Sequence, residues 1–195
     1  GERRGPITLF TGSGAGVSAR TPNLLHTLDL LDSGFSYYGT VGTVEFVTQD
    51  ESHLIQVMAR TSNGNYSKTF QGLNVNEANT CAGLRILMVQ NLVNDDSFRT
   101  AFGCFNPTDD AVTVEFTLMD ENGSAIGTSF SKTFTGRQYQ AFNPFTEAGV
   151  PYPGNSYDNT WIKVEVTSGS GQLMVYGATA NNVTSDPAVH RAVQH

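Results

Sequence analysis

Ala111-Val112-Thr113-Val114-Glu115-Phe116-Thr117-Leu118-Met119, followed by Asp120-Glu121-Asn122-Gly123, is the stretch from which the fold is read. Val112, Val114, Phe116 and Leu118 alternate with Thr113, Glu115 and Thr117. A period of two sends apolar side chains to one face of an extended strand and polar ones to the other. Asn-Gly accepts positive φ at both central positions, as a type I′ hairpin turn requires. Ile126, Thr128, Phe130, Lys132 and Phe134 then predict the return strand.

Working outward, the same grammar recurs. Ile162, Val164 and Val166 alternate with Trp161, Lys163 and Glu165, and Ser168-Gly169-Ser170-Gly171 leads to Leu173, Val175 and Tyr176. This predicts a second hairpin over 160–180. A third is predicted to join 84–91 to 98–105 through Asn94-Asp95-Asp96-Ser97. If residues 90 and 97 face each other, Cys104 comes near Gly83 and Cys81. The intervening 136–159 reads as an extended connection with one helical turn near Pro144 to Ala148. Toward the N-terminus, Ile7–Thr11 and Val17–Arg20 flank a Gly-rich turn, and Thr43–Thr48 is expected to pair with Leu54–Thr61.

The two halves align at an offset that sets Val44-Glu45-Phe46 against Val164-Glu165-Val166 and Ala59–Asn63 against Ala178–Asn182. This is read as a partial internal duplication. The expected organisation is a first β-sandwich unit over 1–80, a partial copy plus linker, and a second over 81–195. The fold class is all-β: two tandem antiparallel β-sandwiches, immunoglobulin-like or jelly-roll-like.

Composition agrees. Only 15% of the 195 residues are charged, and polarity comes from Thr, Ser, Asn and Gly, which suit strands and turns. The formal net charge of −7 argues against a phosphate backbone as partner, so no nucleic acid is expected. No apolar run approaches the roughly 20 residues that span a bilayer, so no membrane insertion is expected. Cys81 and Cys104 form an even pair, compatible with one disulfide in an oxidising compartment or with two buried thiols.

Catalytic chemistry finds little footing. The histidines are His26, His53, His190 and His195, two of them in the last six residues, and no Gly-x-Ser-x-Gly elbow accompanies them. Gly12-Ser13-Gly14-Ala15-Gly16 lacks the Gly-Lys-Ser/Thr ending of a phosphate loop. The acidic pairs, such as Asp95-Asp96 and Asp109-Asp110, read as solvated turns, and no metal ligands are assigned. The chain is therefore read as non-catalytic, without cofactor or metal. Trp161, on the polar face of its strand, and Tyr37, Tyr38, Tyr152 and Tyr157, in the long connections, are the candidates for stacking on sugar rings. Packing over sheet edges is the competing role for the same rings.

Ser97-Phe98-Arg99-Thr100, Phe105-Asn106-Pro107, the turn at Asp120–Gly123 and the late run Tyr176-Gly177-Ala178-Thr179-Ala180-Asn181-Asn182 through Pro187 resemble a tandem β-sandwich module of uncharacterised secreted bacterial proteins. Ala59-Arg60-Thr61-Ser62-Asn63 resembles the strand end of a preceding copy, although that copy is shorter than the pattern. The resemblance implies export (secreted, periplasmic or cell-surface), a sandwich fold and an accessory role, and it carries over no functional residues. The expected function is a structural or adhesive module binding protein or polysaccharide at the cell envelope. The alternative is a carbohydrate-binding module using the exposed aromatics.

Overall fold

The computed structural model describes residues 43–47, 57–63, 66–80 and 86–194, within a compact unit that runs from Gly42 to His195. The strands are β1 (Met58–Asn63), β2 (Tyr66–Gln71), β3 (Asn79–Thr80), β4 (Ile86–Asn94), β5 (Phe98–Phe105), β6 (Val112–Met119), β7 (Phe130–Phe134), β8 (Tyr139–Phe142), β9 (Tyr157–Gly169), β10 (Gln172–Asn181), β11 (Pro187–Arg191) and β12 (Val193–Gln194). Among the described residues one short α-helix, α1 (Pro144–Glu147), stands where a helical turn is expected, capped by the Asn143 side chain. The fold is all-β and sandwich-like. One sheet has the order β12-β4-β9-β6-β7, the other β11-β10-β5-β8, with β3 joined to β10. β3 lies immediately before the division expected at residue 80.

The 111–134 stretch forms its hairpin, with Val112 opposite Phe134 and Phe116 opposite Phe130. Its turn differs from the expectation. Gly123 takes φ 81° while Asn122 does not enter the positive region. The Gly123 N–H donates to the Asp120 carbonyl, and the Asp120 carboxylate accepts from the N–H groups of Asn122 (2.9 Å) and Ser124 (2.7 Å). A three-residue loop with glycine in the left-handed region replaces the two-residue type I′ turn. The return strand also starts later, at Phe130. Gly127 has φ 66°, and a side chain there would run into the Ala148 carbonyl, which accepts the Thr128 N–H instead.

The other two predicted hairpins are corrected. β4 and β5 are not paired, nor are β9 and β10; each turn carries the chain from one sheet to the facing one. β9 already has both edges occupied, by β4 and β6, with Leu87 and Phe116 flanking Val164. The register that brought Cys104 toward Cys81 therefore does not exist. Cys104 is a free, fully buried thiol on the inner face of β5, and burial pushes its pKa well up. Cys81 lies outside the described residues. Residues 43–47 form no strand, and β1 pairs with β2, Met58 opposite Gln71, rather than with 43–48. Thus the segment set against β9 in the duplication is not a strand; the expected turns before residue 42 lie outside the described residues.

The core sits between the sheets. Val112, Val114, Phe116, Leu118, Ile162 and Val164 are buried as the alternation requires, and Val166 is half-buried. Phe116 is its hub. Its ring meets Phe102 (6.0 Å), Phe130 (5.2 Å), Phe134 (6.4 Å) and Phe142 (5.5 Å), so β5, β6, β7 and β8 share one aromatic cluster. Lys132 lies on the same inward-phased face of the edge strand β7, its ammonium 4.8 Å from the Phe142 ring centroid and 2.8 Å from Glu147 Oε1. A charge aimed inward at a sheet edge opposes addition of further strands.

Buried threonines bond backbone and side chains within and between the sheets. β4 is bulged between Val89 and Leu92, with Asn91 at φ 60°. Its displaced backbone is bonded by side chains: Thr100 Oγ1 accepts from Val93 N–H and donates to the Val93 carbonyl, and Thr160 Oγ1 donates to the Leu92 carbonyl. Thr179, also buried, bonds His190 Nε2 at 3.1 Å. Burial lowers the His190 pKa below its ordinary 6.5. Because the folded value is the lower one, stability is full above pH 6.5 and falls as pH drops through the folded pKa. Replacing His190 by Gln is expected to flatten that slope in urea titrations between pH 7.5 and about pH 5; an unchanged slope would assign it to other groups.

Candidate functional site

Strand register defines the two ends of the sandwich. Asn94 pairs with Tyr157, Met119 with Trp161 and Asn181 with Phe98, so the loops at 94–98, 120–125, 150–157 and 181–186 all leave the same end. These loops are built from short polar residues that bond their own backbone. Asp95 Oδ1 accepts from the N–H groups of Ser97 (2.8 Å) and Phe98 (2.7 Å). Asn181 Oδ1 does the same for Val183 (2.8 Å) and Thr184 (2.9 Å).

The loops are also tied to one another. The Asn182 carboxamide donates to the carbonyls of Asp95 (3.4 Å) and Asp96 (2.9 Å) and accepts from Arg99 Nη1 (3.1 Å), while its N–H donates to the Ser97 carbonyl (2.8 Å). Asn94 Nδ2 donates to the Val150 carbonyl at 3.3 Å, fixing the third loop beside the first. From this tied end project Val183, 90% exposed, Tyr152, 44%, and Phe98, 38%. Phe98 is in phase with the inward residues Thr100 and Phe102 but stands beyond the end of the core. Periodicity places Phe98 inside; only the strand ends seen in three dimensions show that it protrudes.

The aromatic candidates do not converge. Trp161 is half-buried on the outer face of its sheet and its Nε1–H donates to the Asp120 carbonyl at 3.0 Å, so its polar edge holds the hairpin turn. Tyr157 stacks on the buried Phe145 at 6.1 Å and belongs to the core margin. Tyr152 alone of the described candidates is exposed, and Tyr37 and Tyr38 lie outside the described residues. A tyrosine pair stands on the outer face of the other sheet. The hydroxyls of Tyr139 and Tyr176 meet at 2.9 Å, and burial together with that bond pushes the Tyr139 pKa far up. The Tyr176 ring lies where a side chain at Gly103 would be, covering the strand glycine.

A small cleft of about 20 Å³, lined by Leu73, Leu87, Met174, Val175 and Ala192, has room for about one water molecule. Among the described residues no three His, Cys, Asp or Glu side chains gather as metal ligands, and no helix is long and apolar enough to cross a membrane. At the opposite end of the sandwich, Arg137 binds Asp109 and Glu45, each at 2.9 Å, and closes a structural corner.

No protein-family model matches the chain, and no curated protein matches it. Among solved structures it is similar to the crystal structure of Thermotoga maritima 1070, with a TM-score of 0.42 and 8% identity, over 56% of this chain and 90% of that one.

Proposed function

We propose that this chain is a non-catalytic binding module of a secreted or cell-surface bacterial protein, and that its tied loop end is the contact surface. The observation that carries the reading is the combination at that end of exposed apolar side chains with loops immobilised by side-chain and backbone bonds. Binding costs less when the contacting loops are already ordered, and a rigid scaffold presenting loops is the usual way a sandwich recognises partners. The resemblance to modules of secreted proteins supports the same location.

The test is retention on bacterial cell-envelope fractions. The chain is expected to bind saturably, and the double variant Val183→Ser, Tyr152→Ser to lose about tenfold or more in affinity with an unchanged melting temperature. Retention that survives this variant but disappears with Trp161→Ala, together with a shift in tryptophan fluorescence on adding polysaccharide, would move the contact surface to the outer sheet face and the partner to a glycan.

A further inference from the structure

We propose that the loop end takes a cationic segment of a partner protein, with an apolar side chain of that segment packing on Phe98 and Val183. This rests on the reading above and adds the chemistry of the partner. The loops at that end and the start of β9 carry Asp95, Asp96, Asp120, Glu121, Asp158 and Asp186, and of these Asp95, Asp96 and Asp186 lie in the two loops that present Phe98 and Val183. Among the described residues of these loops and the strand ends they join, Arg99 is the opposing charge, and it is turned onto the Asn181 carbonyl and the Asn182 side chain.

Among the described residues of the rest of the sandwich, several charges are paired. Lys163 pairs with Glu165 at 2.6 Å, Lys132 with Glu147, and Arg137 with both Asp109 and Glu45. Among the described residues, the end where apolar groups protrude therefore carries an excess of negative charge. An apolar centre ringed by polar groups is the anatomy of a protein interface, and a one-signed rim steers partners of the other sign. A neutral polysaccharide gains nothing from that rim, and an anionic one is repelled by it.

The experiment titrates the isotope-labelled full chain with a synthetic peptide of Lys and Gly around one Phe, and with its Glu counterpart. The Lys peptide is expected to shift backbone resonances of 94–98 and 181–186, to weaken as salt is raised, and to weaken about tenfold for Val183→Ser and roughly threefold for Asp96→Asn with Asp186→Asn. Equal binding of the Glu peptide, shifts confined to other surfaces, or an affinity indifferent to salt and to these substitutions would overturn the proposal. So would calcium chloride alone producing the same saturable shifts, which would make the carboxylates an ion site. If the peptide fails while Val183→Ser, Tyr152→Ser still abolishes envelope binding, the cationic partner is wrong and the loop end stands. If both fail, the loop-end reading falls as well.

Discussion

Replacing Phe116 by alanine is expected to lower the free energy of unfolding by about 3–5 kcal/mol, against under about 1.5 kcal/mol for Phe116→Leu. The ring is completely buried and touches four other aromatic rings drawn from both sheets, so its removal opens a void that no single strand can fill by moving. At roughly 2–4 °C per kcal/mol for a domain of this size, the melting midpoint falls by about 6–20 °C. Calorimetry of the two variants checks this. An alanine variant no less stable than the leucine one would mean that the rings around Phe116 do not form the shared core described.

Asn106→Leu is expected to cost about 3 kcal/mol or more, although leucine is similar in size and more apolar. Asn106 is fully buried and acts as a clamp between loops. Its Nδ2 donates to the carbonyls of Asp110 (2.7 Å), Phe134 (3.3 Å) and Thr135 (3.2 Å), and its Oδ1 accepts from the N–H (2.9 Å) and the hydroxyl (2.6 Å) of Thr108. Leucine removes all of these bonds, and each buried group left unpaired costs about 1–3 kcal/mol. Asn106→Asp separates polarity from fit. A carboxylate there faces carbonyls that cannot donate, so its folded pKa is raised. The variant should then be least stable above that pKa and recover as pH falls through it. Urea titrations at neutral and acid pH measure the effect.

Asn106 also shows what the sequence could and could not disclose. It lies in the Phe105-Asn106-Pro107 run that resembles the secreted sandwich modules, and Asn182 lies in the late run of the same resemblance. Both are loop clamps, so these two positions of the resemblance hold the sandwich together. Alternation along 112–118 and 160–166 identified inward residues because period two is set locally by the pleat. It did not identify strand partners. A strand that buries one face alternates in the same way whether the next strand lies beside it or across the core, so the short turns after Asn94 and Gly169 read as hairpins and are crossings between sheets.

The proposed contact surface is still less legible. Phe98 alternates like a core residue, Val183 sits in a polar run, and the bonds that tie their two loops together join residues more than eighty positions apart, as in Asn182 to Asp96. Trp161, the most conspicuous residue for sugar stacking, spends its N–H on a turn carbonyl. Exposure and tie points, which single out the loop end, are properties of the assembled sheets.

The whole account depends on how β4, β5, β9 and β10 are partnered, because that arrangement brings the four loops to one end. Measurement of Hα–Hα and amide nuclear Overhauser effects across these strands tests it most directly. The account predicts a ladder that links Leu87 to Val164 and Val164 to Phe116, and another that links Val175 to Cys104. Cross-strand effects joining β9 to β10 or β4 to β5 as hairpins would contradict it.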